Sequence, residues 1–162
     1  YYNAQKLASG EKLSHYDPFF FPLDGVARWN RLYGKRGFLQ FQCVVPGREA
    51  ICAIIEEATQ SGAGSPLTVL KKFGDVPSPG MLSFPRPGFT LTIDLPNRGE
   101  ATFAQFARLE ALTMEAGGAL YPAKDARMTA RAFAQSYPRK AQFEKHVDPA
   151  FSSSFWRRVS AP

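Results

Sequence analysis

The sequence predicts an α+β fold on the ferredoxin-like split βαβ plan, β-α-β-β-α-β, an antiparallel sheet with its helices on one face and extensions at both ends. Three observations predict it. Phe89 to Leu95 alternates apolar and polar residues without a break, as a strand with one buried face does. Glu49 to Thr59 places Ile51, Ile54, Ile55 and Ala58 on one helical stripe. Strand-like and helix-like runs then follow one another in the order the plan requires. At 162 residues, 44% hydrophobic and 21% charged, the chain has the means to bury one globular core.

Residues 1–35 read as a lead-in segment and helix. The chain is polar at first, and then Pro18 and Pro22 flank Phe19, Phe20 and Phe21, which predicts an extended aromatic segment buried against something. Asp24 is placed to cap a short helix that Gly34 stops, with Val26, Trp29 and Tyr33 on one face.

Residues 36–125 read as the ferredoxin-like core. Phe38 to Val45 is rich in β-branched and aromatic types, a strand, and Glu49 to Thr59 is the first helix. Gly62-Ala63-Gly64-Ser65 is a loop, and Leu67 to Phe73 a second strand. Met81 to Phe84, between Pro79-Gly80 and Pro85, is a short strand or the arm of a turn. Phe89 to Leu95 is the next strand. Thr102 and Gln105 have capping-box spacing and open a helix to Ala116, anchored by Phe103, Phe106 and Leu109 and stopped by Gly117-Gly118. Ala119 to Pro122 closes the sheet. Residues 126–162 form the tail: a helix from Met128 to Tyr137, an interruption at Pro138-Arg139-Lys140, and an irregular stretch from Asp148-Pro149 through Trp156-Arg157-Arg158.

Charge and composition narrow the function classes. The net charge of +6 favours an anionic partner: nucleic acid, anionic lipid or a phosphorylated small molecule. Cys43 and Cys52 make no disulfide framework and suit a reducing compartment. With only His15 and His146 to offer imidazole, no metal site is expected. No run approaches the roughly 20 apolar residues of a membrane span. The chain opens at Tyr1 without methionine and reads as a piece of a longer protein.

Strand alternation sorts the polar groups. Leu39, Phe41, Cys43 and Val45 form a core face; Phe38, Gln40, Gln42 and Val44 form the other, with two glutamines side by side. Thr90, Thr92 and Asp94 likewise point away from the core face of Phe89, Leu91, Ile93 and Leu95. These groups either face water or line a hydrogen-bonding pocket on the helix-free face. Lys71 sits in an otherwise apolar row with Leu67, Val69 and Phe73, and either snorkels at the sheet edge or meets an anion. The densest chemistry is Leu120-Tyr121-Pro122-Ala123-Lys124-Asp125-Ala126-Arg127, where a lysine can meet an anion or an electron-rich ring. Gly62-Ala63-Gly64 has neither dinucleotide-binding nor P-loop spacing, and no G-x-S-x-G elbow occurs.

These residues carry a resemblance. Trp29-Asn30-Arg31-Leu32-Tyr33-Gly34, Gly37-Phe38-Leu39-Gln40-Phe41-Gln42, Val69-Leu70-Lys71-Lys72-Phe73-Gly74, Leu82-Ser83-Phe84-Pro85, Gly88-Phe89-Thr90-Leu91 and Tyr121-Pro122-Ala123-Lys124-Asp125 stand in one shared order. The chain resembles the C-terminal, substrate-binding domain of FAD-linked oxidoreductases of the vanillyl-alcohol-oxidase class. Within the class it is most similar to the decaprenylphosphoryl-ribose oxidases and their D-arabinono-1,4-lactone oxidase relatives. The resemblance implies an FAD-binding domain N-terminal to residue 1 as partner, an anionic or phosphorylated sugar-type substrate, and hydride transfer from a substrate hydroxyl to flavin. It implies that Lys124 is catalytic and meets both flavin and substrate, and that Tyr121 is cofactor-binding. It further implies that Gln40, Gln42, Lys71, Thr90 and Thr92 line the substrate pocket. Members often carry asparagine at the position of Thr90, and some carry cysteine at that of Thr92, so substrate preference here is open. Asp125 either orients Lys124 or caps the helix after it, and capping is the expectation. The isolated chain is expected to be inactive, and the parent to be cytoplasmic or peripheral at the inner membrane face. The rival reading is a basic RNA-binding module: Arg36-Gly37-Phe38-Leu39-Gln40-Phe41 echoes an RNP1 strand, but on the first strand rather than the third, with Gln40 where a stacking ring is wanted.

Overall fold

The structure, a computed structural model, describes residues 11, 13–21, 24–60, 62, 65, 67–124 and 127–161. The chain divides into two compact units, residues 1–35 and 36–162.

The first unit departs from expectation. The aromatic segment is a helical turn, α1 (Tyr16–Phe20), capped by His15 Nδ1 accepting from the Asp17 amide at 3.3 Å. Pro18 falls in its first turn, where a missing N–H breaks no helical bond. Phe19, Phe20 and Phe21 are exposed; Pro22 lies outside the described residues. The single helix expected from Asp24 to Gly34 is a run of turns followed by a 3₁₀ segment at Trp29–Tyr33. Arg28 stands at φ 59 in the left-handed region, which a right-handed helix cannot contain, and Gly34 at φ 68 ends the segment. Trp29 and Tyr33 pack edge to face at 6.4 Å, while Val26 is exposed.

The second unit has the predicted plan. Strands β1 (Phe38–Val45), β2 (Thr68–Phe73), β3 (Gly88–Pro96) and β4 (Ala119–Leu120) form one sheet in the order β2-β3-β1-β4, with every neighbouring pair antiparallel. Helix α2 (Arg48–Gln60) follows β1, and α3 (Glu100–Glu115) follows β3. Met81 to Phe84 is not a strand but part of the turn-bearing link between β2 and β3.

Helix α3 begins three residues earlier than its apparent capping box. Asn97 Oδ1 accepts the Gly99 amide, and Gly99, at φ 67, takes the N-cap place. Thr102 is then inside the first turn, where its hydroxyl accepts from the Arg98 amide and donates to the Pro96 carbonyl. Gln105 is released to donate to the Ala58 carbonyl at 3.3 Å, which stitches α3 to α2. The far end behaves as expected. Gly117, at φ 67, donates to the Met114 carbonyl and Gly118 to that of Thr113, the two bonds of a Schellman stop. Any side chain at Gly118 would collide with the Val44 carbonyl, so a glycine brings β4 against β1.

One core lies on the helix face. Phe41, Cys43, Val45, Leu91, Ile93 and Leu95 from the sheet meet Ile51 and Ile54 of α2 and Phe106 and Leu109 of α3. Burial pushes the Cys43 thiol up to about 11, against smaller opposing hydrogen bonds from Thr113 and the Leu91 backbone. The tail joins this core. Thr129 caps α4 (Ala130–Ser136), α5 (Lys140–Glu144) follows the Pro138 break, and the stretch expected to be irregular ends in α6 (Ser154–Ser160), capped by Ser153. Val159 of α6 is fully buried, and the Phe155 and Trp156 rings stand edge-on to Phe133 at 5.6 and 6.2 Å. The opposite face of the sheet carries a smaller cluster of Val44, Phe84 and Ala119 with Phe73 and Tyr121 against it. Among the described residues no helix is long and apolar enough to cross a membrane.

Candidate functional site

The strand register gathers the polar residues on the helix-free face. Lys71 pairs with Thr90, which pairs with Val44, which pairs with Ala119. In the next row Val69 pairs with Thr92 and Thr92 with Gln42. Tyr121 extends that row, its amide donating to the Gln42 carbonyl at 2.9 Å. One row further on, Gln40 is opposite Asp94. Side chains of one parity share a face, so Gln40, Gln42, Lys71, Thr90 and Thr92, drawn from three strands, stand together.

A cleft of about 130 Å³ at the edge of the sheet is lined by Gln40, Gln42, Tyr121 and Lys124 together with Phe41 of the core face, Phe103, Phe106 and Glu110 of α3, and Arg127. Its cause is the shortness of β4. That strand pairs with β1 only at Cys43 and Val44, after which the chain turns into a 3₁₀ segment at Pro122–Lys124. Among the described residues no strand pairs with β1 beside Gln40 on that side. Lys124 closes the turn by donating its amide to the Tyr121 carbonyl at 3.1 Å, and Arg127 lies over the Phe103 ring at 4.4 Å. Asp125 lies outside the described residues.

The other expected residues do not line this cleft. Thr90 is fully buried, and its hydroxyl accepts from Gln42 Nε2 at 3.2 Å. It therefore reaches the cleft only through Gln42. With its NH₂ group engaged, Gln42 keeps its carbonyl oxygen as an acceptor. Thr92 is half-buried beside Gln42. Lys71 is exposed on the edge strand, outside the cleft lining.

Several supporting residues were given no site role by the sequence. Asp94 is fully buried opposite Gln40. Phe84, in the β2–β3 link, stacks on Tyr121 at 4.7 Å and touches Phe73 at 6.1 Å, covering part of the face expected to be open. Arg86 donates to the Phe84 and Ser136 carbonyls, and burial lowers its pKa, offset in part by Tyr137. Tyr137, 1% exposed, donates its hydroxyl to the Leu120 carbonyl at 2.6 Å. A buried tyrosine needs such a partner, but its identity is set by a contact 17 residues away in the chain.

No family model matches the chain. Over 159 aligned positions, covering 91% of this chain, it is 40% identical to decaprenylphosphoryl-β-D-ribose oxidase of Mycolicibacterium smegmatis. The chain is homologous to part of that oxidase. It is also 30% identical, over 130 positions and 76% of its length, to an uncharacterized protein in the mprA 5′ region of Streptomyces coelicolor. The chain spans about one third of each of these curated relatives, 33% and 35% of their lengths. The resemblance drawn from the sequence is therefore to a domain-sized portion of such an oxidase.

Proposed function

We propose that this chain is the substrate-side domain of an FAD-dependent oxidoreductase that oxidises a hydroxyl of a sugar or sugar-lipid, working with an FAD-binding domain N-terminal to it. The observation that carries the reading is the cleft that joins Lys124 and Tyr121 to Gln40 and Gln42. The kinship with the oxidase supports it. A cleft of about 130 Å³ admits one edge of a flavin ring rather than the whole dinucleotide, which suits a cofactor held mainly by another domain. The residues present fit that edge: a cation, an aromatic ring and amide side chains would meet its carbonyl and imide groups, while the Glu110 carboxylate of the lining accepts from the Thr129 hydroxyl at 2.8 Å and from its amide at 3.4 Å.

Bound flavin supplies the hydride acceptor. This chain supplies charge and orientation. The Lys124 ammonium would meet the ring on the side that gains negative charge, and a fixed cation there would lower the barrier. Gln42, held by Thr90, offers its carbonyl oxygen to a substrate hydroxyl, with Gln40 two residues along the same face. Thr92 tunes the fit beside Gln42, and exposed Lys71 offers a cation to an anionic group of the substrate. In this reading the parent works in the cytoplasm or at the inner membrane face, and the isolated domain is expected to be inactive.

The test uses the full-length, flavin-loaded protein. Lys124→Ala is expected to slow anaerobic flavin reduction by substrate about 10²–10³-fold, the scale for removing one preorganised electrostatic group. A rate near that of the unmodified protein would sink the role of Lys124. Tight FAD binding by residues 1–162 alone would contradict the division of labour.

A further inference from the structure

We propose that Ser136 and Tyr137, at the end of α4, are positioning residues that fix Lys124 by clamping the main chain of Leu120. The inference rests on the proposed role of Lys124 at the flavin. It starts from a missing strand. β4 is an edge strand of two residues, and Leu120 is buried with its outward backbone groups turned away from β1. Buried backbone groups without partners are costly. Here the Leu120 amide donates to Ser136 Oγ at 3.2 Å, and the Leu120 carbonyl accepts from the Tyr137 hydroxyl at 2.6 Å. Both clamping side chains are at most 1% exposed. Two side chains thus do for one residue what a further strand would do for a whole edge.

From Leu120 the restraint passes along four residues. The Tyr121 amide is held by the Gln42 carbonyl on the inner side, and the Lys124 amide by the Tyr121 carbonyl. The Tyr121 ring is pressed by Phe84. Arg86 ties the parts together: Nη2 donates to the Ser136 carbonyl at 2.9 Å, Nε to the Phe84 carbonyl at 3.3 Å, and the guanidinium lies 5.8 Å from the Tyr137 ring centre. Burial raises the Tyr137 pKa well above its ordinary value, so the phenol remains a donor at neutral pH. A cation whose value lies in its placement loses that value with small displacements.

The test is Tyr137→Phe in the full-length, flavin-loaded protein, which removes the donor and keeps the ring. Amide exchange at Tyr121 and Lys124 is expected to accelerate. The rate of flavin reduction by substrate should fall about tenfold, and the affinity of the flavin for sulfite should fall in the same direction as in Lys124→Ala. Tyr137→Phe added to Lys124→Ala should change neither quantity further, since groups acting through one residue are non-additive. Ser136→Ala is the second variant, with the same expectations, should Tyr137→Phe fail to fold. A variant with lowered Tm but unchanged exchange, sulfite affinity and reduction rate would overturn the proposal, as would full additivity with Lys124→Ala. If exchange accelerates while Lys124→Ala leaves sulfite affinity and reduction untouched, the clamp stands and the flavin role of Lys124 falls.

Discussion

The two faces of the sheet are made by alternate residues of the same strands, yet they are built to different rules. On the helix face Phe41, Cys43, Leu91, Ile93 and Leu95 are sealed beneath α2 and α3. On the other face the neighbours of those residues are Gln40, Gln42, Thr90, Thr92 and Asp94, roofed only in part by Phe84. The first face supplies the stabilising burial. The second can then hold polar groups at fixed positions, because its backbone is already held by the first. Thr90 shows the dependence: it is fully buried, yet its hydroxyl is satisfied by Gln42 and so aims a glutamine into the cleft.

Three changes break or sharpen this contrast. The largest effect is expected from Leu91→Ala on the sealed face, a loss of about 2–5 kcal/mol in chemical denaturation. A loss as small as that of an exposed substitution would mean that this face is not the stabilising one. Next comes the pH dependence from Cys43, whose thiol is pushed from 9.0 up to about 11 by burial. Between those values the unfolded chain loses the thiol proton and the folded chain keeps it. Stability is therefore fully present below pH 9 and falls as pH rises toward 11, by on the order of 1–3 kcal/mol. Tyr137, also raised by burial, acts in the same direction as pH rises above its ordinary value of 10.0, overlapping the upper part of the Cys43 window. Urea titrations at pH 8 and 10.5 check this, and Cys43→Ala should flatten the slope between them. The smallest effect is expected from Thr92→Cys on the polar face: stability within about 0.5 kcal/mol of the unmodified chain by thermal melting. A Tm drop as large as that of Leu91→Ala would erase the contrast between the faces.

The strands of the sheet and helices α2 and α3 were legible because each has one buried face, and a period of 2 or 3.6 shows in the residue types. The elements misread are those whose order comes from elsewhere. Thr102 and Gln105 have capping-box spacing, but Asn97 and Gly99 start the helix earlier and leave both side chains to other bonds. Helix α6 looked irregular because it has only seven residues, too few for its stripe of Phe155, Trp156 and Val159 to show a period. At the cleft, Gln40, Gln42, Tyr121 and Lys124 were identifiable by type and by resemblance. Phe84, Arg86, Ser136 and Tyr137 were not, because each acts through a main-chain carbonyl, an amide or a ring that any sequence would supply.

The sequence by itself determined the order of elements, which strand residues face the helices, and the kinship with part of an oxidase, since local periodicity and residue identity carry all three. Only the tertiary structure decided that β4 stops after two residues, that the opening so left becomes a cleft beside Lys124, and that α4 holds its far side. Those outcomes depend on hydrogen bonds and packing between residues far apart in the chain, such as Leu120 with Tyr137 and Gln42 with Thr90, which no local pattern encodes.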